Sequence, residues 1–342
     1  MKIVVYGPER RVGALVGDQV VDLNRAYAKY LAEKQGESRA AALAAAVVPA
    51  DLQGLVESGA RGLEGAQQAL DYLNGGAQDQ AGLDGATIVR PLSAVKLQAP
   101  VPGPGSRIAC GGANYAKHSA GMRRNQGTEV TEQEVYDAAR RDGQWGFWKI
   151  SRPILGPDDT LTYPSRTKML DYEGECAIII GKSGRNIAPA RARDYYWGVT
   201  LFVDWSIRDD RGTPRTMSYN LGKNFDGSTA IGPCIVVGEL DPENIPVETK
   251  LNGEVRQSYS TSEMIFTFPE ILEYLSRDFT FLPGDVVSGG TGAGTAMDSS
   301  RRDAEGKIAL DRFVKPGDTL EVSSPGIGTL RNKVAAPAAV AV

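Results

Sequence analysis

Two apolar runs in the middle of the chain predict neighbouring buried strands. Residues 176–180 and residues 198–203 are both rich in branched or aromatic side chains, as buried strands are. Glu173 and Glu175 stand directly before the first run. Because side chains alternate between the two faces of a strand, we expect both carboxylates on the same face, roughly 7 Å apart.

A third acid, Asp204, ends the second run. Burying an unpaired carboxylate is very costly, so three converging carboxylates call for a cation. Hard oxygen ligands of this kind suit Mg²⁺, Mn²⁺ or Ca²⁺. Glu173, Glu175 and Asp204 are therefore the predicted metal ligands, and the remaining coordination positions are left for water and a chelating substrate. The alternative is that the two glutamates lie on a solvated strand face, as most pairs of this spacing do.

The first hundred residues show a different pattern. A short apolar strand at residues 2–6 is followed by a predicted hairpin with a tight turn at Gly17 and Asp18. An Ala-rich stretch at residues 26–73 then predicts helices, interrupted around Pro49 and by glycines. This part of the chain is predicted to form a small α+β domain at residues 1–98, which serves packing and assembly.

Closely spaced prolines and glycines at residues 100–105 mark the predicted boundary. Beyond it, many short apolar strands alternate with Gly and Pro, and the clearest helix is at residues 268–276, opened by Pro269. We therefore predict a mostly β (α+β) protein, in which residues 99–342 form the larger domain.

The amino-acid composition excludes several kinds of partner. The 342 residues have a formal net charge of −4, with one histidine and three cysteines. Without a basic field or a run of Lys and Arg, neither nucleic acid nor a membrane surface is an expected partner. No stretch is apolar enough to span a bilayer, and the N-terminal run is not a signal peptide. The widely spaced cysteines indicate reduced core residues. We expect a cytoplasmic enzyme that acts on a small molecule.

Several short motifs follow one another along the second part of the chain. They are residues 114–118 (NYAKH), 171–175 (DYEGE), 204–209 (DWSIRD), 222–226 (GKNFD), 252–254 (NGE), 282–285 (LPGD), 289–292 (GGTG) and 327–332 (IGTLRN). Their order resembles that of the fumarylacetoacetate hydrolase family, and together they make the resemblance specific over about residues 100–335. It implies a distorted, open β-roll as the catalytic domain, a divalent metal, and a homodimer.

The same resemblance implies roles for individual residues. Lys223 matches the active-site lysine of the family and would hold a carbonyl oxygen or a developing anion of the substrate as a fixed point charge. Arg208 matches an arginine near the substrate and would bind a carboxylate tail. His118, the single histidine, matches the position that activates water. Tyr115 and Thr291 are predicted to contact the substrate, Thr291 through its hydroxyl.

One departure from the family concerns the partner of His118. Many relatives carry Glu three residues after this His, where this chain has Gly121. The segment that follows is long, so residues 119–147 are a possible lid, which would order over bound substrate. Glu129, Glu132 or Glu134 in that segment would then supply the missing acid.

Three functional hypotheses follow. The first is a divalent-metal-dependent hydrolase that cleaves a carbon–carbon bond in a 1,3-diketone acid of the acylpyruvate or fumarylpyruvate type. The second is a decarboxylase, dehydratase or tautomerase of a 2-oxo acid, which uses the same metal–enolate site without an attacking water. The third is a catalytically silent protein that kept the fold for assembly or ligand binding, although three converging carboxylates argue against it.

Overall fold

A computed structural model describes residues 1–74, 80–103, 105–150, 152–209 and 219–337. The elements of the N-terminal part are strands β1 Lys2–Tyr6, β2 Arg11–Val16, β3 Gln19–Asp22, β4 Val89–Pro91 and β5 Leu97–Gln98, and helices α1 Leu23–Gln35, α2 Ala40–Val47, α3 Leu52–Glu57 and α4 Gly59–Asn74. The predicted strand, hairpin and broken helices are confirmed. Local chemistry sets the bounds of α1, because the Asp22 side chain accepts a hydrogen bond from the Arg25 amide and Gly36 ends the helix at φ 67°.

The later strands are β6 Ile108–Gly112, β7 Trp145–Lys149, β8 Ile154–Leu155, β9 Thr160–Thr162, β10 Leu170–Asp171, β11 Gly174–Ile180, β12 Tyr196–Asp204, β13 Ser206–Ile207, β14 Thr229–Val236, β15 Pro246–Leu251, β16 Glu254–Ser260, β17 Val286–Thr291, β18 Thr319–Ser324 and β19 Gly328–Ala335. The later helices are α5 Ala116–Arg124, α6 Glu132–Asp142, α7 Tyr219–Lys223, α8 Phe268–Leu275 and α9 Ala296–Ser299. Helix α8 begins at the predicted residue and carries proline in its first turn.

A large sheet organises the described part of the chain. Its strand order is β4-β3-β2-β1-β14-β12-β11-β17-β6-β7, with β5 paired to β1 and β8 paired to β14. The two strands predicted from the apolar runs, β11 and β12, are antiparallel neighbours at its centre. A second sheet has the order β16-β15-β18-β19-β9, and β10 pairs with β13. The prediction of a mostly β fold with a smaller α+β part is confirmed.

The large sheet is buried on both faces, which is why its central strands read as continuous apolar runs. Ile178 and Ile180 of β11 belong to a core shared with the second sheet and α8, whereas Ala177 and Ile179 face the N-terminal helices. All seven residues of β11 are buried. Among the residues that the structure describes, we find no helix with the length and apolarity needed to cross a membrane.

The N-terminal strands continue the large sheet across the predicted domain boundary. Strand β1 pairs antiparallel with β14, and Ile3 lies opposite Ile235 with both side chains fully buried. Residues 1–98 are therefore joined to the rest by backbone hydrogen bonds as well as by side-chain packing. The division at residue 98 stays a prediction about sequence organisation.

Candidate active site

The three predicted metal ligands meet where β11 begins and β12 ends. The Asp204 amide donates to the Glu173 carbonyl over 2.9 Å, which fixes the two segments together. Each of Glu173, Glu175 and Asp204 offers a carboxylate oxygen, and these oxygens lie within 4.8 Å of one another. The three residues are at most 4% exposed, so the alternative of a solvated strand face does not hold.

Buried cations surround this acidic cluster. The Lys223 ammonium donates to the Glu173 carboxylate and, over 2.7 Å each, to Asp204 Oδ2 and Ser206 Oγ. Arg208 donates through Nε to Asp171 over 2.9 Å and through its second guanidinium nitrogen to Glu173. Both predicted residues are thus brought to the site. The donors of Arg208 are engaged by protein carboxylates, so its predicted contact with a carboxylate tail stays a prediction.

The glutamates of the pair differ in electrostatic environment. Burial alone would raise the pKa of Glu173, but the neighbouring Arg208 and Lys223 charges hold it well below its ordinary value. Burial raises the pKa of Glu175 well above its ordinary value, and the Asp204 and Glu173 carboxylates raise it further. Glu175 has no ion-pair partner among the described residues, although the Ser288 hydroxyl donates to it. The donor set, all hard oxygen with one uncompensated carboxylate, fits a divalent cation.

Sequence reasoning missed a second buried lysine at the cluster. Lys149, the last residue of β7, donates to Asp204 and, over 2.7 Å, to the Lys223 carbonyl, and its side chain is 0% exposed. Both carboxylate oxygens of Asp204 are consequently held by ammonium groups. The sequence contained little indication of this role, because a single Lys after an aromatic run is most simply interpreted as the exposed end of a strand.

His118 has an acidic partner that sequence reasoning also missed. Its Nδ1 lies 2.5 Å from Asp298 Oδ2, and both side chains are at most 9% exposed. Helix α5 supplies the histidine, and α9 supplies the aspartate. A ring N–H donated from Nδ1 to the carboxylate leaves Nε2 as the acceptor nitrogen. The arrangement is that of a general base oriented by a buried acid.

The partner of His118 in this structure is Asp298, and not an acid of residues 119–147. Glu129, Glu132 and Glu134 are exposed, and Glu134 accepts instead from Thr131 in the capping box that begins α6. Residues 119–147 form most of α5, all of α6 and the start of the edge strand β7. Closure of this segment over a substrate stays a prediction.

Hydrogen bonds with neighbouring residues hold Asp298 in place. Thr295 caps α9 by accepting from the Asp298 amide over 3.3 Å, and the Gly294 amide donates to the Asp298 carboxylate over 3.0 Å. A Thr-x-x-Asp spacing is a recognisable helix start, so the sequence does indicate a cap at Thr295. It does not indicate that the aspartate contacts a histidine 180 residues away.

Gly121 gives Asp298 the space it occupies. A Cβ atom placed on Gly121 would lie 2.8 Å from Asp298 Cβ and 2.9 Å from the Asp298 carbonyl oxygen. Contacts this short force a backbone shift, because neither atom belongs to a flexible side-chain end. The glycine that departs from the family pattern is thus matched to an acid supplied by another element.

Replacing Gly121 by Ala should displace α9 from α5. We expect a loss of about 1–3 kcal/mol in the free energy of unfolding, as for overpacking in a core, and a lower kcat because the His118–Asp298 contact loosens. Denaturant unfolding and steady-state kinetics measure the two effects. Gly127→Ala is unsuitable as a control, because Gly127 has φ 86° and any side chain there would be strained. The control is Ala116→Gly in α5, the helix that contains Gly121, since this change adds no atom to the contact with α9. Unchanged stability and kcat in Gly121→Ala would contradict the expected clash.

The site opens into a cavity of about 400 Å³. The three acids, His118, Arg208, Lys223 and Thr291 all line it. The Thr291 hydroxyl donates to the Gly174 carbonyl over 2.9 Å and accepts from Gln257 over 2.7 Å. Tyr115 is not among the lining residues, and its buried hydroxyl has no hydrogen-bond partner among the described residues. The structure therefore brings every predicted site residue except Tyr115 to one cavity.

Comparison with known proteins finds relatives over most of the chain. A family model described as fumarylacetoacetate (FAA) hydrolase C-terminal matches residues 107–335. The chain is 34% identical over 246 residues to the oxaloacetate tautomerase YisK of Bacillus subtilis, covering 71% of this chain and 74% of that protein.

Solved structures show the same fold over nearly the whole chain. A fumarylacetoacetate hydrolase from psychrophilic Exiguobacterium antarcticum is 28% identical, with a TM-score of 0.68 over 98% of this chain and 99% of that one. The maleylpyruvate hydrolase from Sphingobium sp. SYK-6, solved with manganese(II) and pyruvate, is 21% identical, with a TM-score of 0.66 over 98% and 100% of the chains. The chain belongs to the fumarylacetoacetate hydrolase family.

Proposed function

We propose that this protein is a divalent-metal-dependent enzyme of 2-oxo acids, and that it cleaves a carbon–carbon bond in a diketo acid of the acylpyruvate type by hydrolysis. The observation that carries the proposal is the His118–Asp298 contact beside three converging carboxylates. Hydrolysis needs a base that takes a proton from water, and this pair provides one. A homodimer in the cytoplasm, implied by the family resemblance and composition, belongs to the same proposal.

Glu173, Glu175 and Asp204 would hold the cation, with Mg²⁺ or Mn²⁺ as the first choices for an all-oxygen ligand set. When bound, the cation supplies Lewis-acid polarisation of the 2-oxo acid oxygens. Side chains of the protein would transfer protons and stabilise the negative charge that forms on the substrate. Burial would lower the pKa of Lys223, but Asp204 and Glu173 outweigh it and raise that pKa, so Lys223 stays an ammonium at neutral pH.

The reaction can be written with these groups. His118 Nε2 accepts a proton from water, and the resulting hydroxide attacks the acyl carbonyl carbon of the diketo acid. The bond between that carbon and the methylene carbon of the pyruvate part breaks, and its electron pair becomes the enolate of pyruvate. The Lys223 ammonium lies at the same cavity and stabilises the negative charge. The proton on His118 then returns to the enolate carbon, which releases a carboxylic acid and pyruvate.

A second candidate is keto–enol tautomerisation of an oxaloacetate-type acid. It is supported by the relative named as an oxaloacetate tautomerase at 34% identity. The same base, His118, would take a proton from carbon and return it to oxygen, without an attacking water. A cavity of about 400 Å³ also admits a longer diketo acid such as fumarylpyruvate, so the hydrolase is kept as the first candidate.

Turnover by the Mn²⁺-loaded protein in ¹⁸O-labelled water tests the proposal. With acetylpyruvate or fumarylpyruvate we expect metal-dependent loss of the diketone absorbance and one ¹⁸O atom in the released acid, because the attacking oxygen comes from water. Oxaloacetate is assayed in parallel by the absorbance of its enol. Enol–keto exchange without cleavage of either diketo acid would replace the hydrolase by the tautomerase, and inactivity on all three substrates would overturn both candidates.

A further inference from the structure

The inner end of the cavity has little positive charge left for a substrate. Lys223 is bound to Glu173 and Asp204, and Arg208 is bound to Asp171 and Glu173, so both cations are already paired with acids of the protein. A cation held by the acidic cluster would engage the 2-oxo acid end of the substrate. A second carboxylate elsewhere on the substrate would therefore need a different positive group.

Part of the cavity wall is apolar. Met122 of α5, Phe147 of β7 and Phe266 line the same cavity as the acidic cluster. The Phe147 ring lies 5.2 Å from the Lys223 ammonium, so the apolar wall begins directly beside the inner charges. Such a wall suits a hydrocarbon segment and offers no partner to a charge.

A positive group reappears at the helical wall. Arg123 of α5 lines the cavity, is exposed, and has no ion-pair partner among the described residues. The one acid on the same wall, Asp142 at the end of α6, is bound by the Arg141 guanidinium over 2.8 and 3.2 Å. This end of the cavity therefore presents an uncompensated guanidinium, the side chain best suited to binding a carboxylate.

We propose that Arg123 is a specificity-determining residue that binds a second carboxylate, at the far end of the substrate. Arg123 lies about 7.5 Å from His118 along the axis of α5. A wall that combines carboxylates for a cation, apolar side chains and this guanidinium matches a linear 2-oxo acid with a hydrocarbon middle and an acidic tail. The inference rests on the proposed function, since it assumes that the 2-oxo acid end binds at the acidic cluster. Under this proposal the carboxylate at the far end of the substrate binds to Arg123 of α5 and not to Arg208.

Binding of three acids to the full-length, Mn²⁺-loaded protein tests the inference by calorimetry. Oxalate reports the inner end alone, whereas 2-oxohexanoate and 2-oxoadipate share a six-carbon chain and differ in the second carboxylate. We expect 2-oxoadipate to bind about tenfold more tightly than 2-oxohexanoate, as for one charge-assisted contact at a partly exposed site. Arg123→Gln should remove that preference and leave oxalate and 2-oxohexanoate unchanged.

Arg124→Gln is the matched control, because Arg124 is the next residue of the same helix, is exposed, and does not line the cavity. It should behave as the wild type with all three acids. Equal binding of the two six-carbon acids to the wild type, or a preference that survives in Arg123→Gln, would overturn the role of Arg123. Failure of oxalate to bind the wild type would instead overturn the proposed function, on which the role depends.

Discussion

Replacing Asp298 by Asn should lower kcat by a factor of about 10²–10⁴, the usual range for loss of an oriented general base. The amide keeps the size of the side chain and can still accept from the Gly294 amide, but it removes the negative charge beside His118 Nδ1. An Asn amide can also present its NH₂ group to Nδ1, which would favour the wrong tautomer of the ring. Steady-state kinetics with the best substrate of the panel measures the effect.

Two further measurements separate a role in proton transfer from a role in folding. Oxalate and Mn²⁺ should bind Asp298→Asn as they bind the wild type, because Asp298 is not one of the three clustered ligands. Asp311→Asn, a change at an exposed acid thirteen residues later, should leave kcat unaltered. If Asp298→Asn kept full activity, the His118–Asp298 contact would have no part in the reaction.

Removing the metal, or replacing Glu175 by Gln, should abolish turnover and lower the thermal stability. Without a cation the Glu175 carboxylate is left buried beside those of Glu173 and Asp204, and the energy of metal binding is lost from the folded state. At a free metal concentration of about 100 times Kd, binding contributes about 2.7 kcal/mol, which corresponds to roughly 4 °C in Tm for a chain of this size. Differential scanning calorimetry of EDTA-treated protein, before and after Mn²⁺, measures the shift. Glu175→Gln should show little of it.

The size of this shift should grow with pH. Because the folded-state pKa of Glu175 lies above its ordinary value of 4.5, the metal-free protein binds this proton more tightly than the unfolded chain does. Its stability therefore falls as pH rises from 4.5 towards the raised pKa, while metal binding, which needs the carboxylate, becomes stronger. Glu64→Gln, at an exposed acid of α4, should retain the wild-type response. A Tm that does not respond to Mn²⁺ at any pH would contradict a metal site.

The acidic cluster was predictable because its information is local. Two glutamates two residues apart share a strand face, and an apolar run on each strand predicts that β11 and β12 are buried. The pairing of those strands then brings Asp204 to Glu173. The same local reasoning predicted the N-terminal hairpin, the broken helices and α8, each of which is specified by periodicity and by Gly, Pro or cap residues.

The contacts that the sequence did not predict join distant segments. His118 and Asp298 are 180 residues apart, and Lys149 is 55 residues from Asp204. No spacing rule links such pairs, because their proximity depends on the order of strands in the sheet. The parallel pairing of β6 with β17 places the segments that follow them, α5 and α9, side by side. The sequence showed that Gly121 departs from the family pattern. It did not show that Asp298 of α9 packs against this glycine.

The pairing of β1 with β14 also affects how the chain can be shortened. The region that matches the family begins at residue 107, yet part of the edge of β14 is covered by β1, with Lys2 opposite Val236. A chain trimmed to the family region would leave those backbone groups unpaired, and open strand edges promote aggregation. The pairing of β1 therefore protects part of the edge of β14 from contacts with other strand edges.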